Sequence, residues 1–320
     1  MPFPLAHSAP AAFWLQHVTS HRTWLKPSQL AAFTAAGTNA FRICSASDGW
    51  VERLGDDALI CFKTESRSFL AELDEWSATS GWSPARIFAK LLPKQNEDRG
   101  APQILRGPTQ PLTTVVQEAG VRYALDFAAG YSHGLFLDQR GNRGFIRRTK
   151  PERLLNTFAY TCSFSVVAAL SGGATLSVDL SKKSLDRGRE NFALNGLDPT
   201  AGHRFIADDV LDVLPRLAKR GERFDAIILD PPTFSRGNQG RRWQVEQHFE
   251  DLLNATLELA SPRANILLST NCNKIPPAQL ERMARFCLKL HRRGGDYHRE
   301  QFLPDFPPGH GATTLWLHAR

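Results

Sequence analysis

From about residue 150 onward, the chain alternates short apolar runs with longer segments of helical period. Arg153–Phe158, Thr175–Asp179, His203–Ile206, Phe224–Asp230, Asn265–Ser269 and a run around Thr313–His318 read as strands, short and rich in branched apolar residues. Between them, Ser163–Leu170, Ser181–Leu194, Val210–Lys219, Val245–Leu259 and Pro277–Leu290 read as helices, with Gly196 placed to end the second. Strand and helix in alternation predict an α/β fold with a doubly wound, mainly parallel sheet. Ligands of such sheets sit at the carboxyl ends of the strands, so functional residues are expected just after each strand.

The first 150 residues are less regular. Thr38–Cys44 and Asp57–Lys63 read as strands, Ser68–Thr79 and Pro84–Leu92 as helices, and the polar stretch Pro93–Gly107 as a linker. Thr113–Glu118, Arg122–Asp126 and Leu135–Asp138 read as strands separated by glycine-containing turns. The expected organisation is an α+β accessory domain over residues 1–105, a β-hairpin connector over 106–150 and a catalytic domain over 151–320.

Composition narrows the function classes. No apolar run in the 320 residues approaches the ~20 that a membrane span requires. Met1-Pro-Phe-Pro-Leu lacks the basic and apolar segments of a secretory signal, and five dispersed cysteines include no Cys-x-x-Cys pair. Both features point to a reducing, cytoplasmic setting rather than to a zinc ribbon. His203 and His248 have no second ligand at metal spacing, so structural roles are expected for them and no metal is expected. Lysine and arginine total 39 against 32 acids, a net charge of +7. That balance suits a polyanionic partner, or simply a basic soluble protein.

The strand ends carry the candidate chemistry. Asn156-Thr-Phe-Ala-Tyr-Thr-Cys-Ser-Phe-Ser165 leads into a helix whose amino end can face a ligand. Asp179, ending the second strand, is placed to accept both ribose hydroxyls of an adenosine. Asp208-Asp209-Val210 follows the third strand and can meet an adenine amino group; Asp230-Pro-Pro-Thr-Phe-Ser235 follows the fourth as a rigid loop. A single Asp at a strand end is more often a turn or N-cap residue. The ordered set describes an adenosine-bearing cofactor beside a rigid polar loop.

These stretches resemble S-adenosyl-L-methionine-dependent class I methyltransferases, and are similar to bacterial 23S ribosomal RNA methyltransferases acting on cytosine C5 or guanine N7. The likeness rests on Gly134-Leu-Phe-Leu-Asp-Gln-Arg-Gly-Asn-Arg143, Asn156–Thr161, Ser177–Ser181, Arg189–Gly196 and Phe224–Ser235, with a weaker match at Asn39–Gly49. The resemblance implies a Rossmann-like, seven-stranded methyltransferase sheet with a small N-terminal α+β domain. It implies Asn156, Phe158 and Ala159 beside the methionine part of the cofactor, Asp179 and Leu180 at the ribose, and Asp209 with Val210 at the adenine. Asp230 and Pro231 would adjoin the transferred methyl group, and Gln139, Arg140, Arg143, Thr233, Phe234 and Arg236 the RNA. The chain departs from the family at Cys162-Ser163, where glycine is usual after Tyr-Thr, and at Ser132-His133, where Lys-Thr is usual.

The methylated atom stays open at this level. Cys272 follows the Asn265–Ser269 strand, where cytosine-C5 members carry a cysteine that attacks C6. Asp-Pro-Pro-Thr-Phe-Ser looks more like the guanine-N7 members, and a buried Cys272 is the structural alternative. For RNA contact, the candidates are the cationic cluster Arg143, Arg147, Arg148, Lys150 and Arg153, then Arg236, Arg241 and Arg242, then Arg282, Arg285, Lys289, Arg292 and Arg293. Trp243 or Phe234 could stack on an extruded base. The partner implied is RNA, 23S rRNA or its precursor. The competing readings are a methyltransferase of another substrate and an RNA-binding assembly protein without turnover. A nicotinamide oxidoreductase is disfavoured because Phe158–Ser165 contains no glycine.

Overall fold

The computed structural model describes residues 22–92, 100–300, 303–307 and 309–320. The Met1–Leu5 segment and the first seven residues of the expected linker lie outside them.

The N-terminal part is a six-stranded sheet: β1 (Thr23–Trp24), β2 (Ala40–Ala46), β3 (Gly49–Leu54), β4 (Asp57–Phe62), β5 (Arg86–Leu91) and β6 (Gln103–Arg106), in that spatial order. Only β4 and β5 run parallel. Helices α1 (Pro27–Ala35) and α2 (Arg67–Ser80) cover one face, burying Phe33, Phe69 and Leu73 against Phe41, Ile43 and Ile60. Two expectations are corrected here. Pro84–Leu92 is a strand, because Ile87, Phe88 and Ala89 are buried on both faces of the sheet, and such a continuous apolar run carries no helical or strand period. The polar stretch after it is more than a linker, since Gln103–Arg106 forms the exposed edge strand beside β5.

β7 (Thr113–Glu118) and β8 (Val121–Asp126) form a hairpin whose turn residues, Ala119 and Gly120, both take positive φ, +49° and +79°. Paired positive φ matches the twist of a two-residue hairpin. Leu135–Asp138, expected as a strand, leads instead into a 3₁₀ turn over Leu137–Gln139 and then α3 (Arg140–Thr149).

The remaining strands are β9 (Arg153–Thr157), β10 (Ala174–Asp179), β11 (His203–Ala207), β12 (Phe224–Leu229), a short hairpin of β13 (Phe234–Arg236) and β14 (Arg242–Gln244), β15 (Ala260–Thr270), β16 (Gly295–His298) and β17 (Thr313–Ala319). Seven of them form one sheet in the order β11-β10-β9-β12-β15-β17-β16, where β17 alone is antiparallel to its neighbours. Helices α4 (Ser163–Leu170), α5 (Lys182–Leu194), α6 (Val210–Lys219), α7 (Val245–Leu257) and α8 (Pro277–Leu290) alternate with the strands. The doubly wound architecture is therefore present. Its two faces follow the period-two rule: Leu154 of β9 points into one core and Leu155 into the other. The first of these cores runs without a break through Val116, Tyr123 and Leu125 of the hairpin to Ala40, Leu59 and Phe88 of the N-terminal sheet.

Candidate active site

The carboxyl ends of β9, β10 and β12 open on a cavity of about 260 Å³. Its first wall is the β9–α4 loop, where Phe158, Tyr160 and Cys162 take φ values of +51°, +48° and +61°. Each non-glycine residue held there costs on the order of 1 kcal/mol or more, so the surroundings must enforce the shape. They do. The Tyr160 hydroxyl donates to the Ser132 carbonyl at 2.8 Å, and the Thr161 hydroxyl to the Gly134 carbonyl at 2.6 Å.

Asp179 closes the second wall. One carboxylate oxygen accepts the Tyr160 amide and the other the Ser181 amide, each at 2.8 Å. Burial pushes this carboxyl up, and the two amides pull it back. An ionised carboxylate offers about four lone-pair sites, so acceptors remain for two hydroxyls after both amides are served.

Asp230 forms the third wall, followed by Pro231 and Pro232. Its carboxyl is pushed up to about 6 chiefly by desolvation, against a hydrogen bond from Ser269. A relay of side chains orients it. Trp316 Nε1 donates to Asn142 Oδ1 at 2.9 Å, and Asn142 Nδ2 donates to Gln139 Oε1 at 2.8 Å. The Gln139 amide nitrogen is thereby turned toward Asp230 Oδ2 at 3.2 Å and Ser269 Oγ at 2.9 Å. A donor fixed in that direction favours the ionised carboxylate.

The β13–β14 hairpin packs across the same rim. Trp243 is buried, donates its indole N–H to the Pro232 carbonyl at 2.8 Å, and lies 5.9 Å from the Phe158 ring. Arg241 reaches Asp212 at 2.8 Å and Asp209 at 3.3 Å, while the Asn238 side chain reaches Asp208 at 2.8 Å.

The structure thus brings Gln139, Phe158, Asp179, Leu180, Val210, Asp230 and Pro231 to one cavity. Other expected residues sit elsewhere. Asn156 is buried, donating to Ser165 Oγ at 3.0 Å, and Ala159 is buried with its amide on the Val178 carbonyl. Asp209 caps α6 through the Leu211 amide with one oxygen and meets Arg241 and the Asn238 amide with the other, and it is not among the residues that line the cavity. Cys272 belongs to the core beside Ile275 and Leu280, its thiol 3.6 Å from Glu246 Oε1, and does not line the cavity.

The expected RNA residues divide in the same way. Thr233, Phe234 and Arg236 are exposed next to the cavity. Arg140 and Arg143 are not available to a substrate: Arg143 is buried in a two-point pair with Glu118 at 2.6 Å, and Arg140 pairs with the buried Asp305 at 2.8 Å. Arg148, Arg153, Arg241 and Arg285 are taken by Glu300, Glu222, Asp212 and Glu281 respectively. Arg236 and Arg242, by contrast, form no ion pair among the described residues and flank the cavity. Trp243, buried as described, cannot stack on a base; Phe234, 55% exposed, can. Sequence reasoning did not single out Phe136, Asp138, Tyr160 and Asn271 as cavity-lining residues, although the first three lie inside stretches read as motifs.

A family model for S-adenosylmethionine-dependent methyltransferases matches residues 64–318. The chain belongs to that family. A large-subunit ribosomal RNA methyltransferase I from Aeromonas salmonicida is 32% identical over 248 residues, 74% of this chain and 62% of that protein. A ribosomal RNA large subunit methyltransferase K/L of Psychrobacter sp. is 40% identical over 164 residues, half of this chain but 20% of that longer protein. The chain thus spans about three-fifths or less of these relatives. The crystal structure of SMU.776 complexed with SAH superposes with a TM-score of 0.77 at 25% identity, covering 91% of this methyltransferase chain and 78% of that one. Among the described residues, no helix is long and apolar enough to cross a membrane.

Proposed function

We propose that this methyltransferase transfers a methyl group from S-adenosylmethionine to N7 of a guanine in RNA, the large-subunit ribosomal RNA or its precursor, in the cytoplasm. One observation carries the choice of atom: Cys272, the only cysteine at the end of the β15 strand, faces the hydrophobic core and Glu246 rather than the cavity that holds Asp179 and Asp230. Methylation at cytosine C5 requires a thiolate at the base, whereas guanine N7 already presents a lone pair. The substrate class is supported by the names of the relatives above and by Arg236 and Arg242 beside the cavity, which form no ion pair among the described residues.

The cofactor fits the walls of this cavity. Asp179 has acceptors left for the ribose hydroxyls, and Phe158, Leu180 and Val210 offer apolar surface to an adenine. When bound, S-adenosylmethionine supplies an electrophilic methyl group on a cationic sulfur. The chain's own part is positioning. The Pro231–Pro232 loop, tied down by Trp243, fixes one side of the target base, and Phe234 is free to stack on it. The Gln139-oriented carboxylate of Asp230 holds negative charge beside a reaction whose positive charge passes from the cofactor to the purine. No proton has to leave for N7 to be methylated, so no general base is required.

The test is incubation of the protein with labelled S-adenosylmethionine and unmodified 23S rRNA, followed by mass spectrometry of the nucleosides, in wild type and Cys272→Ala. The expected product is 7-methylguanosine in both. 5-Methylcytidine that vanishes in the variant would overturn the choice of atom. Cofactor binding without any label in RNA would overturn the choice of substrate.

A further inference from the structure

At the end of α4 away from the candidate active site lies a second concavity, about 350 Å³ in volume. It is built by two parts of the chain. The β7–β8 turn supplies Ala119, Gly120 and Arg122, while α3 and α4 supply Arg147, Val167 and Leu170. The hairpin is held in place by Asn195, after α5, which accepts the Arg122 amide at 2.9 Å and donates to the Arg122 carbonyl at 2.7 Å. Helix α4 starts at the cofactor-side loop and ends in this pocket, so the two sites are separated by its eight residues, about 12 Å along the axis.

The lining has a definite chemistry. Two arginines line it and, among the described residues, no carboxylate does. Arg147 is aimed by a 2.6 Å hydrogen bond to the Ala119 carbonyl, and the Arg122 side chain is exposed with no ion pair among the described residues. Leu170, 45% exposed, gives the floor an apolar surface. The neutral side chains that could read a base edge are already engaged: both Asn195 amide atoms hold Arg122, and the Ser171 hydroxyl donates to the Val167 carbonyl at 3.0 Å. Phosphate contacts together with an apolar seat, and no edge readout, describe sequence-independent capture of one nucleotide.

We propose that this pocket anchors an unpaired nucleotide of the RNA substrate remote from the methylated base, its phosphate on Arg122 and Arg147 and its base against Leu170. The proposal rests on the RNA reading above and adds a second contact point to it. The pocket and the cavity lie at opposite ends of α4, so an RNA that engages both must run past that helix.

The experiment measures binding of a large-subunit rRNA fragment across a salt series for wild type, Arg122→Glu and Leu170→Ala, alongside melting temperature and S-adenosylmethionine affinity. Arg122→Glu is expected to weaken RNA binding at least fivefold and to flatten the plot of log affinity against log salt by about 0.7–0.9. Leu170→Ala is expected to weaken binding with the salt slope unchanged. Cofactor affinity and melting temperature should stay at the wild-type value in Arg122→Glu. Wild-type RNA affinity and slope in Arg122→Glu, in a protein that still methylates the fragment, would overturn the anchor alone. Failure of the wild type to bind the fragment at any salt would overturn the RNA reading itself, and the anchor with it. Binding of an acidic peptide in preference to RNA, abolished by Arg122→Glu, would overturn the anchor by reassigning the pocket to a protein partner.

Discussion

The sulfur of Cys162 fills the space that a side chain at Gly188 would need: a Cβ placed on Gly188 would stand 2.5 Å from it. Cys162 holds the left-handed turn at the start of α4, and Gly188 lies in the middle of α5. The two positions complement each other across the helix pair. The cysteine at this turn is thus matched by a glycine in the facing helix.

That match sets the sign of Gly188→Ala. In open space, alanine would stabilise a helix interior by up to about 1 kcal/mol relative to glycine. Here overpacking wins, and a loss of about 1–3 kcal/mol is expected, read as a lower urea midpoint. The double variant Cys162→Gly/Gly188→Ala should recover most of the loss. Additive losses would show that the two residues do not share that space.

Asp179→Asn should weaken S-adenosylmethionine binding at least tenfold, measured by calorimetry, with a smaller effect on turnover at saturating cofactor. The amide group must point one N–H toward either the Tyr160 or the Ser181 amide, both of which now donate to this side chain. Equal affinity in wild type and variant would remove Asp179 from the cofactor site.

Asp230 makes stability and turnover respond oppositely. Its folded value, about 6, lies above the ordinary carboxyl range. The folded protein therefore holds this proton more tightly than the unfolded chain, and ionisation costs stability as pH rises from about 4 to 6. Asp230→Asn should raise stability at pH 7 by about 1–2 kcal/mol while lowering turnover at least a hundredfold. In the wild type, turnover should fall tenfold per pH unit below about 6. A flat acidic limb between pH 7 and 5 would show that the ionised form is not needed.

His133 carries the opposite sign. It is buried, neither ring nitrogen has a partner among the described residues, and it lies beside the Phe127 ring. Desolvation, with Lys90 and Arg187 adding to it, pushes its value down to about 3. The unfolded chain then binds the proton first, so stability is lost as pH falls below about 6.5. Between pH 7 and 5 this group should cost about 2 kcal/mol. His133→Phe should remove that share of the acid lability in denaturant titrations at the two pH values.

The catalytic half was largely legible in the chain because its signals are local. Helices α4, α6 and α8 have the bounds expected from their period, and Asp179 and Asp230 stand at strand ends on one cavity. What was not legible depends on distant partners. Arg140 and Arg143 read as surface cations, and only the fold brings Asp305 and Glu118 to them. Cys272 has the expected place after its strand, but α7, with Glu246, decides which way the thiol faces. Gly295–His298 is too short and polar to announce a strand, and it becomes one by pairing with β17.

Asp305 has a wider consequence. It sits between β16 and β17, near the carboxyl end of the chain, yet it accepts the Arg42 amide of the N-terminal sheet at 3.0 Å as well as the Arg140 guanidinium. Glu118 of the hairpin is tied to α3 in the same buried fashion. Removing one partner of either ion pair would leave the other charge buried alone, which typically costs 3–5 kcal/mol. The N-terminal sheet meets the strap around Asp305 through Arg42, whose guanidinium also lies 4.1 Å from the Phe306 ring centroid. A chimera that exchanged it for a relative's counterpart would have to inherit the Leu303–Pro307 strap from the same parent.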